Sequence, residues 1–440
     1  MSRKNSIRFL VLVLLCCSVS FAADGDLETE VARMAKIGAC WSPSFSPDGS
    51  RLAFVSDLNG VPQVWIVDSA GGWPRLVTAL DDQVGGVEWS PDGKWLAFSL
   101  APGGGMNQQI YLVRQDGMEL RRITPGAKDN NWLGGWSRDG KLLSLASNRE
   151  NPSTMDAYLF DLESGETTVA AKNPGIGSIT DLSTDKSKAV IYRMESRSSD
   201  NLFLRDLESG EELLLTEHEG PGSFDGGVFS PDGSIIYLSS NQHSDRTVFA
   251  RVGVLPDGKV TAIQDIAARD DAELGSFAVS DDGSLGALLW NGGGKSALEF
   301  VNLMTLERNP GPDLPAEIAG GLEFSDDGRY LAMTLSGAAA PSDVWILDRK
   351  SSEFRQLTHS PHAGVDLESL VRPTLLSYPA HDGLELSGWL YRPRDIEGPA
   401  PFVLSFHGGP EGQERPRILR PGRRCAPRAI SLVDRLPRLR

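Results

Sequence analysis

Three features of the 440 residues predict a mainly β chain built around a seven-bladed β-propeller. An apolar residue followed by a Ser-x-Asp-Gly-like turn recurs seven times, beginning at Phe45, Trp89, Trp136, Leu182, Phe229, Val279 and Phe324. Successive copies lie 44, 47, 46, 47, 50 and 45 residues apart. That interval holds one four-stranded blade and is too long for helical-pair or leucine-rich solenoids. Between the turns run alternating stretches rich in β-branched and aromatic residues, the strand signature.

The turn chemistry explains the recurrence. In Ser46-Pro47-Asp48-Gly49 the proline presets φ at the second position, aspartate tolerates the third, and glycine supplies the left-handed residue that closes a bulged hairpin. Ser90-Pro91-Asp92-Gly93 and Ser230-Pro231-Asp232-Gly233 repeat it, and the copies at 137, 280 and 325 lose only the proline. The fourth, Ser183-Thr184-Asp185-Lys186, lacks the glycine and counts as a blade on spacing and on the strands that follow.

After each turn comes a first run such as Leu52-Ala53-Phe54-Val55 or Ile235-Ile236-Tyr237-Leu238, then a second such as Val64-Trp65-Ile66-Val67-Asp68 or Val344-Trp345-Ile346-Leu347-Asp348. Short runs ending in Ile123-Thr124 or Leu357-Thr358 complete a blade. A single blade cannot bury both faces of its sheet, so a closed ring supplies the core. The propeller is assigned to residues 24–360.

Residues 1–23 read as a secretory signal: Arg3, Lys4 and Arg8 precede the apolar run Phe9 to Cys17, and Ser20-Phe21-Ala22 offers small residues before Ala23. The run is shorter than the ~18 residues a spanning helix needs, so no membrane association is expected after cleavage and the location is secreted or periplasmic. Of four cysteines only Cys40 falls in the propeller, which leaves no disulfide framework. The net charge of −16, without a basic stripe, excludes nucleic acid as a partner. No cofactor motif and no metal-ligand spacing is present; His359 and His362 read as solvated loop residues.

Past the seventh blade, residues 361–416 change character. Ser377 to Pro393 reads as two strands about the Asp382-Gly383 turn, and the linker Glu397-Gly398-Pro399-Ala400 leads into the apolar strand Pro401 to Phe406. That strand runs into His407-Gly408-Gly409-Pro410. A buried strand ending in a glycine pair fits the oxyanion loop of an α/β-hydrolase, where a backbone N–H must face a developing alkoxide unobstructed.

With these residues in order, the chain resembles the prolyl oligopeptidase family of serine peptidases, nearest its acylaminoacyl-peptidase and dipeptidyl-peptidase-like branch, from Leu27 to about Pro416. The repeats are similar to those of TolB as well. The resemblance implies that the propeller restricts which peptides reach a Ser-Asp-His triad, that His407, Gly408 and Gly409 belong to the oxyanion loop, that Gly409 offers its N–H, and that His407 shapes the loop. Glu211-Glu212 invites comparison with the glutamate pair by which dipeptidyl peptidases hold a substrate amine, but it follows Leu207-Glu208-Ser209-Gly210 as ordinary acidic hairpin residues do.

The chain departs from that family in lacking any Gly-x-Ser-x-Gly, and the nucleophile, acid and histidine should all follow the oxyanion loop. His407 precedes any nucleophile and cannot be the base. Residues 417–440 hold eight arginines, three prolines and one acid, a charge of +7, against 35 basic and 58 acidic residues before them. No strand or helix period organises this stretch, and a shift of reading frame is its expected origin. The expectation is an exported serine peptidase cut short before its nucleophile, inactive as it stands. The alternative is a TolB-like module that binds a peptide or a protein partner on the propeller face.

Overall fold

Each of the seven expected turns joins two strands. The computed structural model describes residues 24–126, 128–394, 397–399, 401–408, 412–418 and 430–435. Seven antiparallel sheets of four consecutive strands cover residues 40–76, 84–122, 131–171, 177–214, 224–267, 273–310 and 318–356, here blades 1 to 7. The last residue of every first strand is the apolar residue that starts a repeat.

Serine and aspartate build the turn together. The Ser46 hydroxyl donates to Asp48 Oδ1 at 2.6 Å and accepts from the Arg51 N–H at 3.0 Å, and all seven copies repeat the pair. In the fourth copy Lys186 takes the glycine's place at φ 60°. Its ammonium meets Asp139 of the preceding turn at 2.5 Å, an ion pair that partly offsets the left-handed strain.

A second repeated device ties the third strand to the fourth. Thr78, Thr124, Thr216 and Thr358 each donate, at 2.8 Å, to a residue fifteen positions earlier: Gln63, Gln109, Asn201 and Asp343. The same hydroxyls accept the N–H of Val64, Ile110, Leu202 and Val344. Buried polar groups therefore stay satisfied where the blade edge would leave them bare.

Burial follows the blade interfaces, with one apolar cluster between each neighbouring pair. The cluster that joins Phe45, Phe54 and Trp65 to Ala332, Val344 and Ile346 closes the ring between blades 1 and 7. All the strands of a blade are contiguous in sequence, so this closure is made by side-chain packing together with an isolated parallel backbone bridge between Ala39 and Ser342. First strands face the axis, and the free backbone of their inner edge is met by a neighbouring blade. Glu323 accepts the Phe45 N–H at 2.7 Å, Ser44 the Trp89 N–H at 3.0 Å, and Asp181 the Phe229 N–H at 2.8 Å. The approach is close enough that a Cβ on Gly226 (φ 83°) would lie 2.5 Å from the Phe277 ring.

Two features differ from the sequence expectation. Residues Asp24–Ala35, assigned to the start of the propeller, form an α-helix, and the first blade begins at Cys40. Residues 417–440, expected to hold no regular element, contain the strand Ile430–Arg435. It lies between Glu385–Tyr391, which it pairs antiparallel, and Phe402–Ser405, which it pairs parallel. Ile, Leu and Val suffice for a strand once a sheet offers two partners, a non-local condition that periodicity does not reveal. The signal region 1–23 lies outside the described residues.

Candidate functional site

The hairpin Thr374–Pro379 and Glu385–Tyr391 turns at Gly383, whose φ is 86°. With Phe402–Ser405 and Ile430–Arg435 it forms an eighth sheet. Parallel neighbours require a crossover of a dozen residues or more, and the 24 residues between Phe402–Ser405 and Ile430–Arg435 supply that length. The strand Phe402–Ser405, expected to be buried, leaves Phe402, Val403 and Leu404 exposed. His407 and Gly408 follow it after one residue, Phe406. That is the place from which an α/β-hydrolase draws an oxyanion N–H.

His407 is half-buried and Gly408 exposed, with open space where a Cβ of Gly408 would stand. The loop then turns back on itself: a Cβ on Gly412 would lie 2.7 Å from His407 Nδ1 and 2.8 Å from the Gly408 carbonyl. Gly412 is thus needed for the loop's return, a role that sequence reasoning missed. Gly409, the expected oxyanion donor, lies outside the described residues.

Residues 412–418 carry the loop onto the propeller. Asn291 donates to Gln413 Oε1 at 2.7 Å; Arg415 donates to the Gly294 carbonyl at 2.9 Å and to Ser296 Oγ at 2.8 Å; the Ile418 N–H reaches the Gly337 carbonyl at 2.9 Å. Trp389 of the hairpin is 2% exposed, donates to the Glu414 carbonyl at 3.2 Å and lies beneath the Lys295 ammonium. Burial lowers the Arg415 pKa, and it pushes the Tyr391 phenol up to about 12, so the phenol stays a neutral hydroxyl at ordinary pH. A cavity of about 390 Å³ opens beside this contact, between Met34 of the helix, Ile37 just beyond it, Ser336 of blade 7, and Glu414 and Arg417.

The remaining candidates stand apart from this site. Glu211 lies in a hairpin turn, and Glu212 starts the outermost strand of blade 4, bound by Arg193 and Arg205 at 2.7 Å. Burial works to raise the Glu212 pKa, but those guanidinium hydrogen bonds prevail and hold it below the usual range. The pair is a structural clasp on the outer rim. His359 and His362 are exposed loop residues, and the His362 ring contacts the Val365 carbonyl.

Residues 21–270 match the TolB β-propeller domain. The chain belongs to that TolB β-propeller family. The TolB-like part alone extends to other proteins: over 151 residues, 34% of this chain and 32% of the relative, it is 37% identical to a TolB homolog of Chlorobium luteolum. A longer likeness, 28% identity over 393 residues, links 84% of the chain to 57% of an uncharacterized peptidase, YuxL, of Bacillus subtilis. Dipeptidyl aminopeptidase BIII of Pseudoxanthomonas mexicana is 28% identical over 207 residues, 42% of this chain and 29% of that one.

Among solved structures, a prolyl endopeptidase superposes with a TM-score of 0.75 at 15% identity over 94% of this chain and 64% of its own. Prolyl oligopeptidase B of Galerina marginata gives 0.72 at 15% identity over 99% and 67%. The TolB-family propeller with its eighth sheet therefore has the prolyl oligopeptidase fold, and the chain resembles that family. It spans somewhat over half the length of the peptidase relative and about two thirds of these structures.

Proposed function

We propose that this chain carries the propeller and the oxyanion-loop end of the hydrolase domain of an exported serine peptidase of the prolyl oligopeptidase kind, acting on peptides outside the cytoplasm. One observation carries the reading: the strand Phe402–Ser405 delivers His407 and Gly408 beside a segment, 412–418, that docks on blades 6 and 7. A stand-alone binding propeller has no use for that arrangement. The TolB family match supports a rival, a propeller that holds a peptide or protein partner on its face, but it ends at residue 270 and leaves the docked sheet unexplained.

A serine hydrolase needs an activated hydroxyl, a base and an oxyanion hole together. The 440 residues contain no Gly-x-Ser-x-Gly, so the triad belongs to sequence beyond them or to a neighbouring reading frame after Pro416. The 440-residue protein by itself is expected to take no label from a fluorophosphonate probe. Labelling should appear in a chain extended through a frame that supplies the motif. Labelling of the 440-residue protein that vanishes on replacing one serine would overturn this account of the missing nucleophile. An extended, folded chain that stays unlabelled would favour the binding module.

A further inference from the structure

Each blade ends in an outermost strand with no strand on its outer side, and such an edge is a template for pairing unless something blunts it. Six of the seven are blunted. Arg75–Leu76, Arg121–Arg122, Glu212–Leu214, Gln264–Ala267, Arg308–Pro310 and Glu353–Gln356 each contain a charged residue, and one of them ends in proline. Blade 3 differs: its outermost strand, Thr167–Ala171, is the longest of the seven at five residues and contains neither charge nor proline. Val169 at its centre is 48% exposed.

The backbone of this edge is free to pair. The Asp161 N–H donates to the Glu166 carbonyl at 2.9 Å, and Phe160 stands opposite Thr167. Alternation along an antiparallel ladder then turns the N–H and C=O of Val169 away from the blade. Charges stand just outside the strand, Glu166 three residues before Val169 and Lys172 three after. Both are exposed, and neither side chain has an ion-pair or hydrogen-bond partner among the described residues.

About Val169 the sequence complements itself. With two copies of the strand antiparallel and Val169 facing Val169, Glu166 of each copy stands opposite Lys172 of the other, and Thr167 and Thr168 stand opposite Ala171 and Ala170. A bulge between Val169 and Ala171 bends the strand at that point. The two Val169 residues therefore exchange the central backbone bonds, and the long Glu166 and Lys172 side chains span the bend.

We propose that the outer edge of blade 3 binds a second copy of this chain, the two Thr167–Ala171 strands pairing antiparallel about Val169 so that two blades become one eight-stranded sheet. Facing β-branched residues and opposite charges both favour this register. The contact is isologous and closes at two copies. One strand pair is a small interface, so the dimer is weak and forms at high micromolar concentration. It lies on the outer rim of blade 3, while the eighth sheet rests on blades 6 and 7, so it does not depend on the peptidase reading.

A disulfide scan and sedimentation velocity test it on the full chain, with Cys16, Cys17 and Cys425 replaced by serine; Cys40 is buried. Facing Cα atoms in a hydrogen-bonded antiparallel pair lie about 5.5 Å apart, within reach of a disulfide, so Val169→Cys should oxidise to a covalent dimer. Thr167→Cys sets its two thiols four residues apart along the strand, about 14 Å, and should not. Val169→Lys brings like charges face to face and should weaken association about tenfold. Glu166→Lys and Lys172→Glu should each do so alone, whereas the two variants mixed should pair as tightly as the parent, because both facing positions then carry opposite charges.

A parent that stays monomeric across the micromolar range would overturn the proposal. So would a dimer that Val169→Lys leaves intact, or equal cross-linking from positions 167 and 169. Failure of the mixed charge variants to pair would overturn the register about Val169.

Discussion

Two sets of acidic residues in this chain answer pH in opposite senses. The Ser46 and Ser50 hydroxyls and the Ser50 N–H bind the Asp48 carboxylate and hold its pKa at about 2. A folded pKa below the unfolded one contributes stability that is lost as pH falls from about 4 toward 2. Burial at the channel raises Glu88 to about 7 and Glu323 to about 8. For them the folded state keeps protons that the unfolded chain has released, so stability falls as pH rises from about 4.5 through the folded pKa. We expect the melting temperature to decline between pH 5 and pH 8, with lumen solvent tempering the size of the effect. Glu88→Gln with Glu323→Gln should flatten the decline, since glutamine can still accept the Phe45 N–H. Melting curves across that range with equal slopes in parent and variant would refute the assignment.

Within a blade, the threonine clasp between the third and fourth strands does work that hydrophobic alternation cannot. Thr216 Oγ1 donates to Asn201 and accepts from the Leu202 N–H, all inside a buried edge. Thr216→Val keeps the shape but strands both partners, so we expect a loss of about 2 kcal/mol by denaturant titration. Blade 3 has Ala171 at the corresponding place, fifteen residues after Asp156, and there the Asn173 N–H donates to Asp156 at 2.8 Å instead. Substituting Ala171→Val should therefore lack this hydrogen-bond penalty and answer only to packing. A Thr216→Val variant as stable as the parent would show that the clasp adds nothing.

The whole molecule is a propeller and an eighth sheet held together by a small polar seam around one tryptophan. Trp389 is buried against Gly294 and Glu414, and a Cβ on Gly294 would lie 3.2 Å from its Nε1. Truncating a buried tryptophan costs about 3–5 kcal/mol. In Trp389→Ala that loss should fall on the eighth sheet, because the ring is closed by its own interface clusters. Limited proteolysis should then cut sooner between blade 7 and Thr374, while the propeller's melting transition stays put. A matching drop in the propeller's transition would mean that the two parts fold as one unit.

Most of the fold was legible because each repeat states its own turn. Proline, aspartate and glycine set backbone angles locally, so Phe45, Trp89, Trp136 and their successors mark strand ends without reference to anything distant. The clasp was present as a fifteen-residue spacing but went unread, because threonine at a strand end carries no periodic signal. At the candidate site, the strand into His407 and Gly408 could be read from the apolar run and the glycines. The need for Gly412 could not, since it arises only when the loop folds back.

The sequence by itself therefore determined the number of blades, the turn that follows each first strand and the strand that leads to the loop, all consequences of short-range conformational preference. Tertiary structure alone decided where Ile430–Arg435 would pair, which blades Arg138 would join, and that segment 412–418 would seal onto blades 6 and 7. Each of these contacts joins residues remote in sequence. What selects them is the edge, carbonyl or pocket found at the other end, which exists only once the distant segment has itself folded.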